Sequence, residues 1–141
     1  IGQPIAHTGT LEIGTRLTVS YVPQDMSFLS GSADDFAAES EIDITLFKTI
    51  LRKLDFKRTQ FTKDMSEFSM GQKKKVLLAL SLCESAHLYI WDEPLNYIDV
   101  ISRLQIETLI LEYKPTMLFV EHDEAFVNDI ATKVCRISLN Q

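Results

Sequence analysis

Residues 88–93 read Leu88-Tyr89-Ile90-Trp91-Asp92-Glu93, so an apolar run ends in two adjacent acids. Four apolar residues in succession predict a buried strand of a parallel sheet, covered on both faces. The carboxyl edge of such a sheet is where open α/β folds bind their ligands. Because side chains alternate along a strand, Asp92 and Glu93 need not do the same work. An Asp-Glu pair alone is also compatible with a strand that ends in a solvated acidic turn.

A second motif lies upstream, Phe68-Ser69-Met70-Gly71-Gln72. Ser69 and Gln72 have the spacing of a capping box, which predicts that a helix begins at Ser69. Gly71 leaves room for another group to approach closely. The free N–H groups and positive dipole end of a helix start favour phosphate. A helix start alone carries no function, but the acid pair that follows favours nucleotide chemistry.

These motifs resemble the nucleotide-binding domain of ATP-binding-cassette (ABC) proteins. Residues 68–72 resemble the ABC signature, residues 88–93 resemble Walker B, and residues 95–99 resemble the D-loop. The run Asp-Glu-Pro-Leu-Asn-Tyr-Ile-Asp at residues 92–99 is similar to the Asp-Glu-Pro-Thr-Asn-His-Leu-Asp of ABC-F proteins, twin-cassette ATPases that act on ribosomes. Its Leu95-Asn96-Tyr97 variant most resembles the branch that protects ribosomes from antibiotics.

The resemblance implies a P-loop NTPase-type (RecA-like) α/β fold, with a mostly parallel sheet and an inserted α-helical subdomain. It divides the chain into residues 1–24 with strands and the Q-loop, residues 25–85 with the helical subdomain and signature, and residues 86–141 with Walker B, the D-loop and the switch histidine. The fold would be incomplete because the N-terminal part of the domain is absent.

The resemblance also implies a site for ATP and Mg²⁺. Glu93 would activate the attacking water and His122 would sense the γ-phosphate. Asp92 and Gln24 would serve the metal, with Gln24 in a Q-loop after the strand that ends at residue 22. The remaining nucleotide-binding positions would be Ser69, Gly71, Gln72 and Asp99. Of these, Ser69 and Gly71 would face ATP in a second cassette of the same polypeptide.

Two departures from the family limit the expected activity. The chain contains no Gly-x-x-x-x-Gly-Lys-Ser/Thr loop, which supplies the phosphate cradle and a phosphate-binding lysine. We therefore expect ATPase activity in a full-length protein, whereas the chain alone should neither bind ATP tightly nor hydrolyse it. Met70 also replaces the usual first glycine of the signature, which raises doubt about the composite site with a partner cassette.

Composition is that of an ordinary globular domain. The 141 residues carry 14 basic and 20 acidic side chains, a net charge of −6, which argues against a chain that is largely a nucleic-acid clamp. Cys83 and Cys135 lack metal-ligand spacing and are predicted to be reduced core residues of a cytosolic protein. No signal peptide or membrane-length apolar run is visible, so we expect a cytoplasmic protein without membrane insertion.

Hydrophobic periodicity predicts alternating strands and helices. Strands are expected at residues 10–13, 17–22, 87–91, 116–120 and 134–139, and helices at residues 43–54, 69–84, 99–113 and 124–131. The order from residue 87 onward implies parallel βαβ units, which would place the acid pair and His122 at neighbouring strand ends. Much of the buried face of the helix at residues 99–113 is expected to consist of Ile101, Leu104, Ile106, Leu109 and Ile110. His7 and His87 are interpreted as structural.

Basic residues fall at two notable places. Lys73, Lys74 and Lys75 occupy the first turn of the signature helix, where positive charge opposes the helix dipole. Attraction to phosphate or RNA and simple solubility both remain open as explanations. Lys48, Arg52 and Lys53 form a basic helix face that is either solvated or a contact for ribosomal RNA.

Three functions are compatible with these residues. The first is part of the C-terminal ATPase domain of an ABC-F factor that acts on the ribosome and confers antibiotic resistance. The second is the motor subunit of a membrane transporter, against which the D-loop sequence argues. The third is a degenerate cassette that only docks, for which Met70 is the support.

Overall fold

The computed structural model describes residues 8–10 and 12–137, and its sheet has three parallel strands. These are β1 (Val19–Val22), β2 (Leu88–Asp92) and β3 (Met117–Val120), with β2 in the centre. The register pairs Val22 with Trp91 and Trp91 with Phe119. All three strands therefore end side by side at one edge. The α/β class and the parallel sheet are confirmed.

Helices connect and cover these strands. They are α1 (Ala33–Glu39), α2 (Ile44–Lys53), α3 (Met70–Cys83), α4 (Val100–Tyr113) and α5 (Glu124–Ile130), with 3-10 turns at Arg58–Gln60 and Met65–Glu67. Three predicted helix starts are confirmed by the side chains that cap them. The carboxylate of Asp43, the hydroxyl of Ser69 and the carboxylate of Asp99 each accept a backbone N–H of the following turn.

The hydrophobic core is one cluster to which all five helices and one face of the sheet contribute. Trp91 of β2, the central strand, is 1% exposed. Its indole Nε1 donates to Ser81 Oγ at 2.9 Å, and Ser81 Oγ lies 2.6 Å from Ser20 Oγ. These bonds satisfy the polar groups that the packing of α3 on the sheet buries.

The other face of the sheet is not covered, contrary to the prediction. On β1, Val19 and Tyr21 are each 40% exposed, and on β3, Leu118 and Val120 are exposed as well. Because side chains alternate in a strand, these residues share the face opposite to Trp91. Ile101 and Leu104 are also exposed, so their predicted burial is wrong. In α4 the buried side consists of Ser102, Ile106, Leu109 and Ile110.

Two predicted strands do not form in the described residues. Residues 10 and 12–14 are extended or irregular, as are residues 134–137, while Leu11 and residues 138–139 lie outside the described part. A strand requires a neighbour that completes its backbone hydrogen bonds, and the described residues supply none here. Cys135 is consequently exposed, not in the core, and only Cys83 is partly buried.

His87 makes a structural contact, as predicted. Its Nδ1 accepts a hydrogen bond from the Thr18 amide at 3.1 Å, just before β1 begins. His7 lies outside the described residues. None of the helices in the described part of the chain is long and apolar enough to span a lipid bilayer.

The two cysteines provide a test of the packing of α3. Burial, together with the charges of Asp43 and Glu84, raises the pKa of the Cys83 thiol to about 11. At pH 8 roughly a thousandth of such a thiol is the reactive thiolate. We expect iodoacetamide to modify Cys135 well before Cys83, as measured by peptide mass spectrometry. The Cys83 rate should rise about tenfold per pH unit up to the pKa, and equal rates for the two thiols at pH 8 would contradict the packing.

Candidate active site

The strand ends bring four of the predicted residues together in two pairs. Gln24, two residues after β1, donates from Nε2 to Asp92 Oδ1 at 3.1 Å. His122, two residues after β3, places Nε2 at 3.5 Å from Glu93 Oε1. The structure therefore brings His122 next to Glu93 and Gln24 next to Asp92. Their roles in chemistry stay predictions.

Glu93 is held in an unusual backbone conformation. Its φ of +47° lies in the left-handed region, which non-glycine residues adopt only when surrounding contacts impose it. Those contacts are present, since its amide donates to the Val120 carbonyl at 2.9 Å and the Asn96 side-chain amide donates to its carboxylate. The Glu93 side chain is 22% exposed and that of His122 is 83% exposed. The carboxylate is thus fixed, and the imidazole is open to an incoming group.

Glu121 is a residue that the sequence reasoning missed. Its Oε1 accepts the amides of His122 at 2.7 Å and Asp123 at 3.3 Å, and its Oε2 accepts the Leu95 amide at 3.2 Å. One carboxylate therefore joins the loop after β3 to the loop after β2. The available signal was its place directly after a strand, next to His122.

Two of the three lysines in the first turn of the signature helix are buried. Lys74 is 1% exposed and Lys75 is 9% exposed, so neither acts as a solubilising surface charge. Lys74 Nζ donates to the carbonyls of Pro23 and Asp92, each at 3.2 Å. Burial lowers the pKa of the Lys74 ammonium, and the nearby carboxylates of Asp92, Glu93 and Glu121 partly oppose that shift. Helical spacing from Leu77 and Leu78 was the signal that placed Lys74 on the buried face.

The signature residues begin α3. Ser69 Oγ accepts the Gln72 amide at 3.3 Å, and Gln72 Oε1 accepts the Ser69 amide at 2.9 Å, which completes the predicted capping box. Within the described part of the chain, neither side chain is hydrogen-bonded to Asp92, Glu93 or His122. Gly71 lies directly against the Tyr97 carbonyl, in a space that a Cβ atom would fill. The close approach expected at Gly71 is therefore to the chain's own D-loop.

Asp99 joins the D-loop to α3. Its carboxylate lies 2.6 Å from Lys75 Nζ and accepts the Ser102 amide at 2.9 Å. Partial burial acts to raise the pKa of Asp99, but the bonds from Lys75 and Ser102 outweigh it and hold the pKa well below its usual range. The basic first turn of α3 is thus explained inside the molecule for Lys75 as well as Lys74.

The donor set suits a hard divalent cation. The Asp92 carboxylate and the Gln24 amide supply oxygen ligands, which Mg²⁺ prefers. Mg²⁺ in proteins is usually bound by one or two carboxylates together with phosphate oxygens. The described residues contain no cluster of three or more His, Cys, Asp or Glu side chains that could hold an ion alone. The residues present therefore fit a metal that arrives with a phosphate ligand.

This fold and the set of strand-end side chains define a nucleotide-binding domain, and comparison with known proteins agrees. The family described as ABC transporter matches residues 3–96. The chain belongs to this family of ATP-binding domains. Its structural neighbours are ABC nucleotide-binding domains with the P-loop NTPase fold. This chain corresponds to part of such a domain.

Individual relatives include proteins of the ABC-F type. The ribosome protection protein VmlR of Bacillus subtilis is 33% identical over 143 residues, covering 99% of this chain and 26% of VmlR. ATP-binding protein Uup of Buchnera aphidicola is 30% identical over 141 residues, covering 94% of this chain and 24% of Uup. The chain therefore spans about a quarter of the length of these relatives.

A solved structure supports the assignment to the ABC family of ATP-binding domains. The archaeal ribosome recycling factor aABCE1, in complex with the ribosomal stalk protein aP1, superimposes with a TM-score of 0.69 and 26% identity. The superposition covers 85% of this chain and 25% of that one.

The contact between Gly71 and Tyr97 can be tested by Gly71→Ala. Alanine in place of glycine normally stabilises a helix by about 0.5–1 kcal/mol. Here the added Cβ would meet the Tyr97 carbonyl, so we expect a loss of about 1–3 kcal/mol in the free energy of urea unfolding. Gly14→Ala is the control, because its nearest neighbour is Leu17 Cδ1 at 3.3 Å, the movable end of a side chain. A Gly71→Ala variant as stable as the wild type would contradict the contact.

Proposed function

We propose that this chain is part of an ABC cassette that hydrolyses ATP when completed by the phosphate-binding loop that the chain lacks. The observation that carries the proposal is the pairing of Glu93 with His122 beside the pairing of Asp92 with Gln24. Carboxylates and an imidazole at the carboxyl edge of a parallel sheet are suited to phosphoryl chemistry.

Each residue has a role that its contacts support. Glu93 is the general base, because its carboxylate is fixed from two sides and can accept a proton from an attacking water. His122, which is exposed and 3.5 Å from that carboxylate, would contact the terminal phosphate. Asp92 and Gln24 would hold Mg²⁺, which neutralises charge on the phosphates when bound.

We propose that Ser69, Gly71, Gln72 and Asp99 serve a nucleotide held by a second cassette of the same polypeptide. Ser69 is exposed at the start of α3, where free amides and the dipole favour an anion. Gly71 and Asp99 act through the D-loop, which they tie to α3. The side chain of Met70 is 44% exposed at this surface, so it can contact a partner. The division into residues 1–24, 25–85 and 86–141 belongs to the same proposal.

We infer further that the full-length protein is a cytoplasmic ABC-F factor that acts on the ribosome, with ribosomal RNA as a partner, and that it confers antibiotic resistance by ribosome protection. Two observations support this. The D-loop run Leu95-Asn96-Tyr97-Ile98-Asp99 is of the ABC-F kind. VmlR, with 33% identity, is named a ribosome protection protein, and aABCE1 is named a ribosome recycling factor.

Replacement of Glu93 by Gln in the full-length protein tests the general base. The amide keeps the shape of the side chain but cannot take a proton, so we expect steady-state ATP turnover to fall by about 10²–10⁴-fold. ATP should still bind, and the ATP-bound state should persist in a nucleotide-retention assay. Glu112→Gln is the matched control, because Glu112 is exposed on the last turn of α4. Unchanged turnover in the Glu93 variant would refute the role.

The location of the full-length protein separates the ribosomal function from a transporter function. We expect the Glu93→Gln variant with ATP to sediment with ribosomal particles in a sucrose gradient, and ADP to reduce that fraction. The physical reason is that ATP would hold the two cassettes together, and this closed form would be the one that binds the ribosome. Recovery in the membrane fraction, with no ribosome association, would favour a transporter motor subunit instead.

A further inference from the structure

Lys74 stands out among the charged residues because it is almost fully buried. It is 1% exposed, and within the described part of the chain it forms no ion pair. Its two hydrogen bonds go to backbone carbonyls, those of Pro23 and Asp92. Taking an ammonium group out of water costs free energy, and the nearby carboxylates of Asp92, Glu93 and Glu121 offset that cost only in part.

The two carbonyls that Lys74 binds lie directly before two proposed site residues. Pro23 precedes Gln24, and Asp92 precedes Glu93. The carbonyls belong to neighbouring chain segments, because the register pairs Val22 of β1 with Trp91 of β2. One ammonium group therefore joins the end of β1 to the end of β2, at the point where both chains leave the sheet.

In the described part of the chain, no backbone hydrogen bond joins the residues that follow β1 to the residues that follow β2. The ladder between β1 and β2 pairs residues up to Val22 and Trp91, and beyond it Gln24 and Asp92 meet only through their side chains at 3.1 Å. Glu93 is meanwhile tied to β3 through the Val120 carbonyl. Without Lys74, the segment that carries Gln24 could move relative to the segment that carries Glu93.

We propose that Lys74 is a positioning residue, which sets the separation of Gln24 and Glu93 by clamping the carbonyls before them. The proposal rests on the ATPase function proposed above. Lys74 thus acts on the chemistry of its own cassette. Ser69, at the start of the same helix, acts on the nucleotide of a second cassette. Lys74 itself does not contact the nucleotide.

The test is Lys74→Met in the full-length protein, with Lys73→Met as the matched control on the neighbouring, half-exposed position. Methionine fills similar space without a donor. We expect kcat for ATP hydrolysis to fall about 10–100-fold, the scale of a misplacement of about 1 Å at a reacting centre. KM for ATP should stay within about threefold, because phosphate binding lies elsewhere. Lys73→Met should retain wild-type kcat.

Urea unfolding of the same variants separates positioning from folding. Methionine leaves the Pro23 and Asp92 carbonyls without their donor and removes the charge near Asp92, Glu93 and Glu121, so we expect the midpoint of the Lys74→Met variant to lie below that of the wild type. Leu78→Ala, which removes a fully buried side chain from the same helix, is the control for lost stability and should retain the wild-type kcat while it is folded. A kcat that falls in Lys74→Met but not in Leu78→Ala, with both variants folded in the assay buffer, supports the proposal. An equal fall in the two variants, or loss of folding in Lys74→Met, overturns it, because the lysine would then serve stability alone.

Failure of this inference and failure of the proposed function give different results. If the wild-type protein has no ATPase activity that Glu93→Gln abolishes, the proposed function fails and the inference fails with it. If that activity exists and Lys74→Met retains the wild-type kcat, only the role of Lys74 is overturned.

Discussion

The parallel register of β2 between β1 and β3 is the constraint on which the site depends. Val22, Trp91 and Phe119 lie in one row, so the residues that follow each strand emerge together. Residues distant in sequence meet there without any long loop to order, which spares the entropy that a loop-built site would cost. The rigid element is the sheet, and the reactive side chains lie one or two residues beyond it.

The α3 helix connects this edge to the rest of the chain. Its start carries positive charge, which opposes the helix dipole and costs about 0.3–1 kcal/mol per charge when exposed. The structure offsets this cost with internal partners, since Lys75 pairs with Asp99 and Lys74 binds two carbonyls. The same helix thus contacts the ends of β1 and β2 as well as the D-loop. A movement of α3 would therefore shift all three of these segments.

Negative charge is concentrated at the strand ends. Asp92, Glu93 and Glu121 surround Lys74, and Glu121 accepts three backbone amides. Amide donors and one buried cation compensate carboxylates that would otherwise repel each other at short range. The left-handed backbone at Glu93 also depends on neighbouring contacts, because strain of about 1–3 kcal/mol is maintained only where such contacts impose it.

The sequence by itself determined the α/β class, the helix starts at Asp43, Ser69 and Asp99, and the meeting of the acid pair with His122. These follow from local capping chemistry and the rule that parallel strands end together. Only the tertiary structure decided the burial of Lys74, the bridging role of Glu121, the exposed face of the sheet and the absence of strand pairing at residues 134–137. Each of these depends on which residues lie nearby in space. The local sequence pattern does not show which distant part of the chain will pack against a residue.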